Sequence, residues 1–100
     1  MKLTVEIIIN SDKYVLINFK ATNCDPCQMI EPTLQQVKNA IGKRIAIYVL
    51  DIDQVPNIVS KYKIKTVPML VLFHKGEIVW QTKEILSKEE IIKFVVEYTN

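Results

Sequence analysis

The stretch Val15-Leu16-Ile17-Asn18-Phe19-Lys20-Ala21-Thr22-Asn23-Cys24-Asp25-Pro26-Cys27 decides the reading of this chain. It opens as a strand, Tyr14 to Phe19, apolar on both faces except at Asn18, which suits a central strand covered on both sides. It closes on the chain's two cysteines, three positions apart with a proline between them. The residues after them read as a helix. At such a junction a Cys-x-x-Cys pair has a definite use. The first thiol can be held as a thiolate near the helix N-terminus, and the second lies within disulfide reach one turn in.

Reading outward, the helix should run from about Pro26 to Ile41. Proline suits a first helical position because its missing N–H had no intrahelical partner there. Pro32 falls inside and should kink the helix. Leu34, Val37 and Ile41 continue its apolar stripe, and Gly42 reads as the C-terminal cap. Met29 and Ile30 read as packing residues. A second strand, Ile45 to Leu50, is again apolar on both faces. Asp51-Ile52-Asp53 closes it, and a short helix follows near Asn57 to Tyr62. Lys65-Thr66-Val67-Pro68 leads into a strand from Met69 to Phe73. His74-Lys75-Gly76-Glu77 is a turn, and Ile78 to Thr82 completes a hairpin. Ser87-Lys88-Glu89-Glu90 is a capping box opening a C-terminal amphipathic helix with Ile91, Ile92, Phe94, Val95 and Val96. Before the motif, Leu3 to Asn10 fits either a helix or a strand, because its β-branched residues leave the choice open. The order gives one α/β domain over residues 1–100, with a mixed sheet: parallel strands first, then an antiparallel edge.

Bulk properties narrow the function. The chain has 100 residues, 49% of them hydrophobic and 24% charged, a composition that folds around one modest core. A net charge of +2 is too weak to argue for nucleic acid or a membrane surface. No apolar run approaches the ~20 residues of a membrane span. Glu6 interrupts the N-terminal apolar run and no small-residue cleavage site follows, so no signal peptide is expected. Two cysteines are too few for a disulfide-stapled secreted scaffold, and a reducing cytoplasm is the expected compartment.

The element order and the motif together resemble the thioredoxin family, from about Ser11 to Tyr98. The landmarks are Ile17-Asn18-Phe19-Lys20-Ala21, Cys24-Asp25-Pro26-Cys27-Gln28-Met29-Ile30-Glu31-Pro32, Asp51-Ile52-Asp53, Tyr62-Lys63-Ile64, Thr66-Val67-Pro68 and Lys75-Gly76-Glu77. The resemblance implies a thioredoxin-like sandwich, a central mixed β-sheet with helices on both faces, here with the family's N-terminal edge strand missing and Leu3 to Asn10 as its first helix. It implies a thiol–disulfide oxidoreductase that reduces protein disulfides. Cys24 would be the nucleophile and Cys27 the resolving thiol, closing an internal disulfide through a mixed-disulfide intermediate. It also implies a cis bond at Pro68 beside that disulfide, with the Val67 backbone pairing to an extended substrate segment. No cofactor and no metal are expected. The expected partners are client proteins with disulfides and an electron-donating reductase. Neither nucleic acid nor membrane is expected, and the chain is read as a monomer.

Departures from the family pattern carry the specialisation. A buried Asp and a nearby Lys of the family are Asn18 and Val49 here. Losing one member of a buried pair strands a charge, whereas losing both does not. Asn18 cannot be a general base, so deprotonation of Cys27 would rely on water or on Asp25, with slower exchange. The motif's usual glycine is Asp25, whose carboxylate disfavours the Cys24 thiolate and should make the pair a better reductant. The family's Trp beside the first cysteine is Asn23, an upstream Trp is Lys20, and a glycine of its docking surface is Glu84. These changes alter the surface that would meet partners. Two other functions compete: a thioredoxin-like module that binds a partner with little turnover, and a metal-binding Cys-x-x-Cys protein. The second needs two further ligands, of which His74, in a turn away from the motif, is the one soft candidate. His74 is otherwise a solvated turn residue, Trp80 packs on the edge strand, and Lys61, Lys63 and Lys65 form a solvated basic face.

Overall fold

The computed structural model describes residues 4–99. Strand β1 (Tyr14–Lys20) is the one on which the others assemble. Strand β2 (Ala46–Asp51) pairs parallel to it on one side, and β3 (Met69–His74) antiparallel on the other. Strand β4 (Glu77–Thr82) pairs antiparallel to β3, giving the order β2-β1-β3-β4. The five residues Val15–Phe19 are all buried, as a strand covered on both faces requires.

Alternation along β1 divides the core in two. Leu16 faces one layer, where it meets Ile30, Leu34 and Val37 of helix α2 (Asp25–Ile41) and Ile91 and Val95 of helix α4 (Lys88–Thr99). Val15, Ile17 and Phe19 face the other, with Ile9 of helix α1 (Val5–Ile9) and Ile58 of helix α3 (Pro56–Lys61). The fold is therefore the expected three-layer sandwich, a mixed sheet with helices on both faces. In the second layer Phe73 packs edge-on against both Phe19 and Tyr62, at centroid distances of 6.4 Å and 4.8 Å. Each such pair adds about 0.5–1.5 kcal/mol beyond its buried area.

Several local readings are refined. The N-terminal segment is helical at Val5–Ile9, capped by the Thr4 hydroxyl, which accepts from the Ile7 N–H; Leu3 lies outside the described residues. No strand precedes α1 among those residues. Helix α2 starts one residue earlier than expected and continues through Pro32. Gly42 does cap it, but in right-handed conformation at φ −65°, its N–H bonding Lys38. Strand β2 is an edge strand, so its apolar character does not mean burial: Tyr48 and Val49 are exposed. Met29 is likewise 66% exposed, and only Ile30 of that pair packs inside. The hairpin turn proper is Lys75-Gly76, both at positive φ, the primed geometry that matches strand twist. The capping box forms reciprocally: Glu90 N–H donates to Ser87 Oγ, and Ser87 N–H to Glu90 Oε1, both at 3.1 Å. Trp80 stacks on Phe94 at 5.2 Å, joining the edge strand to α4.

Candidate active site

Strand β1 delivers the chain at Lys20 to the end of the sheet, and a short turn then leads into α2. Asn23 in that turn has φ 61°, a left-handed conformation that Asn tolerates better than most residues. A large aromatic would be strained at this position, so the backbone supplies its own reason for Asn23. Cys24 is the N-cap of α2, with extended dihedrals, and its Sγ accepts a hydrogen bond from the Cys27 N–H at 3.2 Å. Asp25 and Pro26 occupy the first turn and are exposed.

Cys24 and Cys27 are joined as a disulfide, with their Cα atoms 5.2 Å apart. The two sulfurs are not equivalent. Cys27 is buried, at 1% exposure, under the helix, whereas Cys24 is partly open to solvent. An incoming group can reach Cys24 and not Cys27. The helix start adds a favourable field and free backbone N–H groups for negative charge on Cys24.

The distal proline reaches the same place by a different route. Phe19 pairs with Met69, so Lys20 at the end of β1 and Pro68 at the head of β3 leave the sheet at one end. The Val67–Pro68 peptide bond is cis, Pro68 is buried and Val67 is half-buried. Asn23, Cys24, Asp25, Pro26, Val67 and Pro68 thus lie together at that end of the molecule. His74 does not. It pairs with Tyr14 at the opposite end, stacks on the Tyr14 ring at 3.9 Å, and places Nε2 3.1 Å from the Asp12 carbonyl. It is a packed strand residue rather than a solvated one, and the metal reading loses its third ligand.

Asn18 stands apart from the surface residues. It is fully buried, sits beside Val49 on β2 and Leu70 on β3, and shares its face of β1 with Leu16 and Lys20. Neither Nδ2 nor Oδ1 has a hydrogen-bond partner among the described residues. Its electroneutrality is consistent with an apolar neighbour at Val49. A groove of about 410 Å³ opens over this face, lined by Lys20, Glu31, Leu34, Lys38, Ile47 and Val49 among others. Lys20 Nζ and Glu31 Oε1 approach to 3.6 Å there, with both side chains roughly 40% exposed.

Sequence reasoning missed two of these features. The Lys20–Glu31 pair joins a strand end to a helix, and no short-range spacing signals it. Asp51 accepts from the Asp53 N–H at 2.9 Å and from Thr22 Oγ1 at 3.3 Å, fastening the turn before Cys24 to the end of β2. The Asp-x-Asp pattern is the signal that could have pointed to the first of these bonds.

The Thioredoxin family model matches residues 4–97. The chain is 34% identical over 88 residues to Thioredoxin Y1, chloroplastic, of Arabidopsis thaliana, covering 88% of this chain and 51% of that protein. It is 36% identical over 88 residues to a thioredoxin-like protein of Synechocystis, covering 84% of it. The chain therefore spans about half the length of the plant relative and most of the cyanobacterial one. A solved mutant thioredoxin from Halobacterium salinarum superposes with a TM-score of 0.81 at 29% identity, over 96% of this chain and 83% of that one. Among the described residues no helix is long and apolar enough to cross a membrane.

Proposed function

The chain belongs to the thioredoxin family of thiol–disulfide oxidoreductases, and we propose that it reduces protein disulfides with Cys24 as attacking thiol and Cys27 as resolving thiol. The observation that carries this division of labour is the unequal exposure of the two sulfurs: Cys27 is buried while Cys24 caps the helix in partial contact with solvent. The Cys24 thiolate attacks a client disulfide and forms a mixed disulfide, releasing one client thiolate. Cys27 then attacks Cys24, the second client thiolate leaves, and the internal disulfide closes. The Cys27 N–H, 3.2 Å from Cys24 Sγ, supports the thiolate before attack. Asp25 opposes that support and biases the pair towards the reduced client. Pro26 sets the first helical turn, and Asn18 leaves the buried centre of β1 uncharged.

Asn23, Val67 and Pro68 form the rim on which an extended client segment would lie, with the Val67 backbone as its pairing partner. Clients bearing disulfides and an electron-donating reductase complete the cycle, in the cytoplasm and with the protein as a monomer. The test is single-turnover reduction of a disulfide-bonded peptide. The Cys24→Ser variant should show no reaction, and Cys27→Ser should accumulate the mixed disulfide. A Cys24→Ser protein that still forms a mixed disulfide would reverse the assignment.

A further inference from the structure

Resolution requires Cys27 to lose a proton, and among the described residues no carboxylate is buried. Asn18 is the buried polar side chain among the described residues, and an amide cannot accept that proton. Asp25 is two residues from Cys27 on α2, and positions i and i+2 do not face each other on a helix. Glu31 is four residues from Cys27 on the same helix, one turn along and on the same face, a spacing that brings Cβ atoms to about 5–6 Å. Its carboxylate lies in the groove between α2 and β2, paired with Lys20 at 3.6 Å and 43% exposed. It thus stands one helical turn from Cys27 on a side chain open to bulk water. The groove's other charged groups are Lys20 from β1 and Lys38 from α2, both cationic, while β2 contributes only Ile47 and Val49. Among the described residues that line it, Glu31 is the anionic one.

We propose that Glu31 is the proton acceptor for Cys27, directly or through one water, in the resolving step, an assignment that rests on the reading of Cys27 as resolving thiol. In the mixed disulfide, the Cys27 S–H bond breaks and its proton passes to the Glu31 carboxylate. The Cys27 thiolate then forms the bond to Cys24 Sγ, and the Cys24–client S–S bond breaks with its electron pair leaving on the client sulfur. Glu31 returns the proton to solvent or to the departing thiolate. The two electrons lost by the Cys24–Cys27 dithiol are those gained by the client disulfide. Lys20, 3.6 Å away, holds the carboxylate in the groove.

The experiment is stopped-flow reaction of the reduced protein with 5,5′-dithiobis(2-nitrobenzoate), which releases two coloured thiolates in sequence. The first release reports attack by Cys24, and the second reports resolution by Cys27. Glu31→Gln should leave the first phase within about twofold and slow the second by about a hundredfold at neutral pH, the low end of general-base effects. The deficit should close as pH rises and Cys27 ionises without help, and Glu31→Asp should recover part of the rate. Equal slowing of both phases, or an unchanged second phase, would overturn the assignment. If the unsubstituted protein shows no second phase, the reading of Cys27 as resolving thiol falls with it.

Discussion

Replacing Asn18 with leucine should make the protein more stable. The side chain is completely buried in the central strand between Val49 and Leu70, and neither polar atom has a partner among the described residues. A buried amide without a hydrogen bond costs about 1–3 kcal/mol on the scale of mutational data. Leucine branches at the same carbon and has the same number of side-chain heavy atoms, so it removes that cost while keeping the shape. Its methyl groups are bulkier than the amide atoms, and the added volume cancels part of the gain. A net stabilisation of about 1–2 kcal/mol follows, which for a domain of this size raises Tm by about 4–16 °C. The assay is thermal unfolding followed by circular dichroism with the Cys24–Cys27 disulfide intact. A urea titration should show a higher midpoint at unchanged slope. An unchanged or lower Tm would refute the reasoning, because it would mean that the amide is satisfied in solution.

Asn18→Asp should act in the opposite sense. A buried carboxyl without a partner titrates at a higher pH folded than unfolded, so the native state holds its proton longer. Stability should then fall as pH rises above about 4, where the unfolded chain ionises, and recover on acidification; a pH-independent difference from the parent protein would contradict this. Gly76→Ala should destabilise by about 1–2 kcal/mol or more, since φ is +82° and a methyl group would collide with the Asn10 side chain. Thermal unfolding checks it, and an unaltered Tm would argue against the strain. Asp25→Asn should lower the pKa of the Cys24 thiol, because it removes a like charge one residue away; the pH dependence of alkylation reads this out, and a rise would contradict it.

The fold was legible where one physical cause acted alone. The run Val15–Phe19, apolar but for Asn18, reads as a strand covered on both faces, and that one element sets the layer order. The Ser87–Glu90 box and the Lys75-Gly76 turn are local chemistry with local consequences. The Cys24–Cys27 spacing placed the disulfide before any tertiary information. What could not be read depended on neighbours distant in sequence. β2 resembles β1 in composition but lies at the edge, so Tyr48 and Val49 face solvent. His74 looked like a turn residue because nothing near it signals the Tyr14 ring, sixty positions earlier, on which it stacks. The Lys20–Glu31 pair was hidden for the same reason: a strand end and a helix face come together only once α2 is laid on the sheet.

The measurement that bears most directly on the account is a redox titration of the Cys24–Cys27 pair across graded thiol–disulfide buffers, read by the mass shift of thiol alkylation. The account predicts a single two-electron transition on the reducing side of about −200 mV, as a disulfide reductase requires. A transition near the about −120 mV of a strong oxidant, or no internal disulfide at any poise, would contradict it.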